Sequence, residues 1–255
     1  MWPKLAVPTL NFLIDRILKR WQLGRAYAYD DFVTVLQVAH LAVRATSARA
    51  MTTSRFAEWF AFGALTCWMG LGLMRALMLR ARGVSVFVAD RQRTGWQMLA
   101  DTVMLACLLA FAYEIIAYAW QLPFHIGPSV LDRSVVEGLA SQALGAQIVT
   151  GAVILYVIAL RDLGASWRLG LDRSAPGPLV TGGVYRWTRH PIYVAFDLWF
   201  MGTFLLIGRL SFLVLALVWV PLLHAIMDRE ERFLTGLYGD AYRDYSRRVG
   251  RYFFR

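Results

Sequence analysis

Two groups of charged residues flank one long apolar run near the end of the chain, and their side chains are the strongest candidates for chemistry. Arg189, His190 and Pro191 stand directly before this run, and the acid pair Glu230–Glu231 follows it. Proline suits the first position of a helix, where its missing N–H is not needed. The free N–H groups and the dipole at such a helix start attract anions, and Arg189 would strengthen that attraction. The pattern predicts a position for the carboxylate or phosphate of a ligand.

The apolar run, Ile192–Met227, is too long for a single membrane span, which needs about 20 residues. Gly208 and Arg209 interrupt it with a short polar turn. We therefore expect a hairpin of two helices, Ile192–Ile207 and Leu210–Met227. Because the outer ends of a hairpin lie on one membrane face, the acid pair should come close to the cations that precede the run. Cations on one wall and carboxylates on the other suit a zwitterionic ligand with hydroxyl groups.

A third group, rich in tyrosine and arginine, follows the acid pair. Three of its tyrosines recur at helical spacing, so they either stack on an adenine ring or form an aromatic belt at the membrane interface, and the sequence leaves both open. The members of this group are Tyr238, Tyr242, Tyr245, Arg243, Arg247, Arg248 and Arg251.

The composition indicates that these groups belong to an integral membrane protein. The chain is 58% hydrophobic and only 17% charged, with a net charge of +10, and its apolar residues are clustered. We expect an all-α, polytopic membrane fold with five or six transmembrane helices, including the C-terminal hairpin and a cytoplasmic helical tail after it. The further predicted spans are Phe56–Leu79, Trp96–Trp120, Gly138–Leu160 and, with a weaker pattern, Asp31–Val43.

The arginines predict how the chain is oriented and divided. Residues 161–189 and the tail hold most of the basic residues of the second half, so both should lie in the cytoplasm, as in a bacterial-type inner membrane. We expect N-terminal membrane helices over residues 1–160, with an interfacial amphipathic helix at 1–25 and the uncertain span near 31–48. A catalytic region follows over 161–255. It would comprise a cofactor loop at 161–191, the hairpin at 192–227 and the tail at 228–255, in which Asp228 caps the first turn and Gly239 interrupts the helix.

Several functional classes lack their signals in this sequence. It contains neither of the glycine-rich nucleotide-binding motifs nor the serine motif of hydrolases, and its four histidines do not have metal-ligand spacing. The basic residues fall between apolar spans rather than along one face, which argues against nucleic-acid binding. Two acids, Glu114 and Asp197, lie inside predicted spans, where an ionisable group is costly. Glu114 is therefore a candidate for a substrate cavity, while Asp197 lies closer to the interface.

The order "LVTGGVYRWTRHPIY", apolar hairpin, "EERFLTGLYGDAYRDYSRRVGR" resembles the isoprenylcysteine carboxyl methyltransferase family and related membrane phospholipid methyltransferases. The resemblance covers about residues 164–251, a third of the chain. Two positions depart from the family pattern: Ala195 stands where a glycine is common, and Gly250 stands where a proline is usual. The resemblance implies that S-adenosylmethionine binds at the cytoplasmic face. Carried over by position, the cofactor residues would be Tyr185, Arg189, His190, Pro191, Tyr193, Glu230 and Glu231.

Methyl transfer from a sulfonium is an in-line displacement that needs alignment and exclusion of water. The acceptor is a lipophilic or small thiol, carboxylate or amine, and the sequence does not choose among them. A carboxylate or thiolate would be held by Arg243 or Arg247, whereas Glu231, Asp228 or His224 would take the proton of an amine. Two alternatives stay open: a membrane sterol-type reductase that uses NADPH, and a non-catalytic membrane protein that retains the fold.

Overall fold

The computed structural model describes residues 29–81, 94–166 and 177–253, with side chains from residue 55 onward. Within these ranges the chain is mostly helical. It divides into two compact units, Met1–Ser54 and Arg55–Arg255. The second unit contains the site. The α-helices are α1 (Tyr29–Ala81), α2 (Gly95–Trp120), α3 (Leu139–Leu163), α4 (Pro191–Ile207), α5 (Leu210–Tyr238) and α6 (Asp240–Arg248).

In the part of the chain that the structure describes, four helical stretches are long and apolar enough to cross a membrane: Arg55–Ala81 of α1, and the whole of α2, α3 and α5. Helix α4 is a shorter apolar helix of 17 residues. The expected all-α, polytopic membrane fold is therefore confirmed, and the ends of three predicted spans lie within three residues of those of Arg55–Ala81, α2 and α3. The stretch Asp31–Val43 is helical, but its crossing of the membrane stays a prediction. The interfacial helix expected at 1–25 lies outside the described residues.

The expected hairpin is present and joins α4 to α5 through Gly208 and Arg209. Helix α5 continues without a break past the end of its apolar part to Tyr238. The expectation that Asp228 caps a new helix is therefore wrong: Asp228 is a mid-helix residue whose carboxylate pairs with Arg251, 2.5 Å away. Gly239 does end the helix, as expected, and α6 follows it.

Aromatic rings from five helices stack on one another at the centre of the bundle. Trp68 of α1 stacks on Tyr156 of α3 and on Trp199 of α4, with ring centroids 4.1 and 4.5 Å apart. Phe200, the next residue of α4, stacks in turn on Phe111 of α2 at 3.9 Å, and also on Trp219 of α5. Such pairs add to the packing that holds helices together in lipid, where no hydrophobic force between helices is available.

Helices α3 and α4 approach each other closely, and this approach depends on glycine. A Cβ atom at Gly145 would lie 2.4 Å from the backbone nitrogen of Leu206 and 2.7 Å from the carbonyl oxygen of Gly202. Small residues allow helix backbones to approach in this way within membranes. The contact fixes α4, and therefore Pro191 at its start, against α3.

Candidate active site

The site lies where the start of α4 meets the end of α5, and its centre is Glu231. Arg189 Nη2 donates to Glu231 Oε1 over 2.7 Å, and His190 Nε2 lies 3.0 Å from the same oxygen. Arg251 donates from Nε to Oε1 and from Nη2 to Oε2, over 2.9 and 2.7 Å. We call Arg189, His190, Glu231 and Arg251 the Glu231 cluster. It confirms that the hairpin returns the acid pair to the residues before Pro191.

Arg189 also holds the end of the tail helix. Its backbone N–H donates to Gly250 O over 2.9 Å, and its Nη1 donates to the carbonyls of Ser246 and Val249 over 2.7 and 2.8 Å. These carbonyls belong to the last turn of α6 and its cap, where a cation is favourable. The buried Thr188 hydroxyl donates to the carbonyl of Arg251. Most of the hydrogen-bonding capacity of Arg189 is therefore used in docking the tail.

Arg251 completes this docking from the tail side. Besides the two bonds to Glu231, it pairs with Asp228, one turn earlier in α5. The hydrogen bonds to Glu231 raise the pKa of Arg251 above its usual range, although partial burial opposes them. In the sequence, Arg251 is one cation among several in the tail, and nothing there distinguishes it. Its pairing with Glu231 spans twenty residues of sequence and appears only in the folded chain.

The loop before α4 is fixed by one glycine and one carboxylate. Gly183 has φ +58, and a Cβ atom there would lie 2.1 Å from Asp162 Oδ2, the oxygen that accepts the Val184 N–H over 2.7 Å. The Tyr245 hydroxyl of α6 donates to Tyr185 O over 2.6 Å. Burial raises the pKa of Tyr245 to about 12, so this hydroxyl keeps its proton at neutral pH.

Three buried polar atoms beside the Glu231 cluster lack a hydrogen-bond partner within the described part of the chain: Glu230 Oε2, Arg189 Nε and Tyr242 Oη. Glu230 Oε2 lies 3.7 Å from His190 Nδ1, too far for a hydrogen bond. Burial raises the pKa of Tyr242, and the charges of Glu231 and Glu230 raise it further, so its hydroxyl remains a donor. A group of three buried polar atoms without partners is costly, which makes this region a candidate position for a ligand.

The start of α4 adds further donors to the same region. Pro191 occupies the first turn as expected, and no side chain caps the helix, so its free N–H groups remain available to a ligand. Tyr193 stacks on the His190 ring, with centroids 5.4 Å apart. The unpaired atoms thus comprise several donors and one carboxylate acceptor.

The structure brings the predicted cofactor residues to one end of the molecule, but not the two arginines expected to hold the acceptor. Arg243 and Arg247 lie on the outer side of α6 with side chains 50% and 76% exposed, where they pair with Asp240 and Asp244. Neither forms a hydrogen bond with the Glu231 cluster among the described residues. Their spacing in the tail could not show this, since it depends on which face of α6 packs against α5.

Glu114 lies at the other end of the bundle. Helix α2 reaches the site end at Asp101, which pairs with Arg229 of α5 over 3.0 Å. Glu114 is thirteen residues further along α2, about 20 Å at 1.5 Å per residue. Its carboxylate is fully buried and bonds to His125 and to the Ile126 N–H over 3.0 and 2.6 Å. The structure therefore separates Glu114 from the site.

Known proteins resemble the part of the chain that forms this site. A family model described as phospholipid methyltransferase matches residues 140–241. The chain is 39% identical over 167 residues to a protein-S-isoprenylcysteine O-methyltransferase of Schizosaccharomyces pombe. The aligned region covers 64% of this chain and 68% of that protein.

Two further relatives with the same name match over shorter regions. The Saccharomyces cerevisiae protein is 30% identical over 110 residues, 42% of this chain and 46% of its own length. The mouse protein is 37% identical over 79 residues, 31% of this chain and 28% of its own length. The identity and coverage of the first relative, together with the helical membrane fold, show that this chain belongs to the protein-S-isoprenylcysteine O-methyltransferase family of membrane methyltransferases.

Proposed function

We propose that this protein transfers a methyl group from S-adenosylmethionine to an acceptor that reaches the site from the lipid bilayer. The observation that supports this most is the group of unpaired buried atoms, Glu230 Oε2, Arg189 Nε and Tyr242 Oη, beside the uncapped start of α4. A methionine carboxylate needs several donors, and ribose hydroxyls need a carboxylate acceptor. Bound there, the cofactor supplies an electrophilic methyl group on a positively charged sulfur.

The two acids of the pair have different roles in this proposal. Glu231 receives four hydrogen bonds from three basic residues, so it orients Arg189, His190 and Arg251 rather than the ligand. Glu230 keeps one oxygen unpaired and is the acid that binds ribose hydroxyls. The donors at the start of α4, with Arg189 and Tyr242, hold the carboxylate of the ligand.

The acceptor carries an apolar anchor. Helices α4 and α5 expose large apolar side chains along the hairpin that leads to the site, among them Met201, Leu217 and Val218. The names of the relatives point to an isoprenylated cysteine, whose carboxylate is already ionised at neutral pH and needs no base. The cofactor, held by Glu230, Arg189 and Tyr242, would supply the methyl group to this carboxylate and would leave as the neutral thioether. The protein aligns the two reactants and excludes water.

We infer further that the site faces the cytoplasm. Arg186 and Arg189, before α4, and the basic residues of α6 lie at the same end as the Glu231 cluster, as the positive-inside rule requires.

Ligand-dependent stability of the purified protein in detergent tests the choice of cofactor. S-adenosylmethionine at 100 times its dissociation constant should add about 2.7 kcal/mol to the free energy of unfolding, and NADPH should add nothing. Stabilisation by NADPH alone would favour a reductase, and stabilisation by neither ligand would favour a non-catalytic protein. Either result contradicts the proposal.

A pair of variants tests the site itself. Glu230→Gln should raise the dissociation constant for S-adenosylmethionine about tenfold or more, because a hydrogen bond to a charged group is lost. Glu137→Gln is the matched control, since Glu137 is exposed and lies before α3, far from the site in sequence. Methyl transfer is then measured with N-acetyl-S-farnesylcysteine as the carboxylate acceptor and with octanethiol as the thiol. Unchanged affinity in Glu230→Gln contradicts the assignment.

A further inference from the structure

A second polar layer lies beneath the Glu231 cluster, deeper in the hairpin. Asp197 follows His190 by seven residues in α4, and His224 precedes Glu231 by seven residues in α5. Seven residues are close to two helical turns, so each member shares a helix face with the cluster residue above it, about 10 Å away. Tyr252, the residue after Arg251, reaches between them: its hydroxyl lies 3.1 Å from Asp197 Oδ2 and 3.1 Å from His224 Nε2.

The hydrogen bonds of this layer require one shared proton. His224 Nδ1 lies 2.9 Å from the carbonyl oxygen of Val220, which only accepts, so Nδ1 carries a proton. Tyr252 Oη contacts both Asp197 Oδ2 and His224 Nε2, and each contact needs a proton to be a hydrogen bond. The phenol of Tyr252 supplies only one of these two protons. The other resides either on Asp197, which donates to Tyr252, or on His224 Nε2. Asp197 Oδ1 is buried without a partner, which a neutral carboxyl group tolerates better than a carboxylate.

Loss of the shared proton removes one of the two hydrogen bonds. An ionised Asp197 and a neutral His224 would compete for the single phenol proton, and the oxygen of Tyr252 would then face an unprotonated nitrogen or oxygen. Burial raises the pKa of Tyr252, so the phenol does not release its own proton instead. The contact pattern in the structure is therefore that of the proton-loaded layer.

We propose that Asp197, His224 and Tyr252 are positioning residues for methyl transfer, whose shared proton fixes Tyr252 and thereby holds the adjacent Arg251 against Glu231. The inference rests on the proposed function, because it assigns the layer to the same cofactor site. The layer acts on the Glu231 cluster through the chain itself, because Arg251 and Tyr252 are consecutive residues. Arg251 bonds to Glu231, and Tyr252 bonds to Asp197 one layer deeper.

The charged groups around the layer do not replace the shared proton. Above it lie Arg251, Asp228 and the Glu231 cluster, in which the carboxylates and cations pair with each other. The helices packed on α4 and α5 bring further charged groups, and among the described residues none of these forms an ion pair with Asp197 or His224. They are Arg55, Glu58, Arg75 and Arg80 of α1, Asp101 and Glu114 of α2, and Arg161 and Asp162 at the end of α3.

The pH dependence of the KM for S-adenosylmethionine tests the proposal. In the wild type, KM should rise roughly three- to tenfold as pH increases and the proton is lost, the equivalent of one hydrogen bond. Asp197→Asn keeps a donor to Tyr252 that cannot titrate, so its KM should stay at the low-pH value across the range. Asp197→Ala lacks one of the two bonds at every pH and Tyr252→Phe lacks both, so both variants should show the high value throughout. Tyr113→Phe is the control, because it loses one tyrosine bond to a carbonyl, that of Phe124, at the other end of the bundle.

A second measurement does not need the cofactor. Trypsin cleaves after the exposed Arg247 and Arg248, and cleavage should be faster when the tail segment loosens. At one pH above the transition, the wild type should be cut faster than Asp197→Asn in the same buffer. A wild type that binds no S-adenosylmethionine but shows this difference would contradict the proposed function and leave the positioning layer supported. A flat wild-type profile, equal cleavage of the two proteins, or an Asp197→Asn variant as impaired as Asp197→Ala would each overturn the inference.

Discussion

At each end of the bundle hydrogen-bond donors surround a carboxylate, fully buried at Glu114 and partly exposed at Glu231, and the two ends differ in the atoms that remain unpaired. At the far end, Glu114 bonds to His125 and to the Ile126 N–H, and Asp132 receives the Tyr118 hydroxyl, so these groups tie the end of α2 to the loop after it. At the site end, Glu231 is saturated in the same way. Three polar atoms beside Glu231 nevertheless remain unpaired, on Glu230, Arg189 and Tyr242.

The difference separates structural carboxylates from binding ones. In a sequence, an acid within or beside an apolar run suggests a ligand site. The carboxylate oxygens of Glu114 and Glu231 nevertheless both accept hydrogen bonds from other parts of the same chain. In our proposal the group of atoms left without partners marks the ligand site, because each costs free energy until something pairs with it. The following predictions test this distinction, starting from the largest expected effect.

Removing the carboxylate at the far end should cost the most stability and affect the ligand least. Glu114→Ala leaves His125 and the Ile126 N–H without their acceptor in a fully buried position, so the free energy of unfolding should fall by about 3–5 kcal/mol. The affinity of the folded fraction for S-adenosylmethionine should not change. Unfolding and ligand titrations in detergent measure the two quantities, and weaker binding without destabilisation would contradict the assignment of Glu114.

Neutralising the carboxylate at the site end should cost about half as much. Glu231→Gln keeps the shape of the side chain but weakens its charge-assisted bonds to Arg189 and Arg251, which is expected to lower stability by about 2 kcal/mol. Arg251 and its segment should then become more accessible to trypsin. A Glu231→Gln protein of wild-type stability with reduced ligand affinity would reverse the roles that we give to the two acids.

The buried threonine before α4 should have an effect of about 1 kcal/mol. Thr188→Val preserves the volume but removes the hydroxyl that donates to the Arg251 carbonyl and accepts the His190 N–H over 3.3 Å. We expect the KM for S-adenosylmethionine to rise with little change in kcat, because the residue acts on the geometry of the site. A change in kcat alone would indicate a different role.

The exposed arginines of α6 should have almost no effect. Arg243→Ala and Arg247→Ala remove exposed pairs with Asp240 and Asp244, which contribute less than about 0.5 kcal/mol. Methyl transfer by both variants should equal that of the wild type. A large loss of activity with either one would restore the acceptor-binding role that their sequence positions suggested.

The helices and their hairpin could be predicted because membrane spans leave a local signal. Each span is a run of apolar residues of fixed length, and an interruption such as Gly208–Arg209 marks a turn. The membrane also restricts topology, since a hairpin must return to its own face. For that reason the meeting of Glu231 with His190 followed from the sequence alone.

The role of Asp228 could not be predicted in this way. A charged residue after an apolar run suggests a helix start, but α5 continues because Arg251, from beyond the next helix, pairs with the carboxylate within the helix. The exposed face of Arg243 and Arg247 could not be predicted for a related reason. The face that α6 buries is chosen by Tyr242 and Tyr245 packing on the loop before α4, and not by the order of its residues.

For this protein, the sequence by itself determined the membrane fold, the hairpin and the end of the bundle that gathers cations and acids, since each follows from apolar length and local charge. The tertiary structure decided which acid has an oxygen to spare, that Arg251 rather than Arg243 reaches the cluster, and that Asp197, His224 and Tyr252 share a layer. These results depend on hydrogen bonds between residues far apart in the chain. The number of donors around one carboxylate is fixed only when the helices have packed.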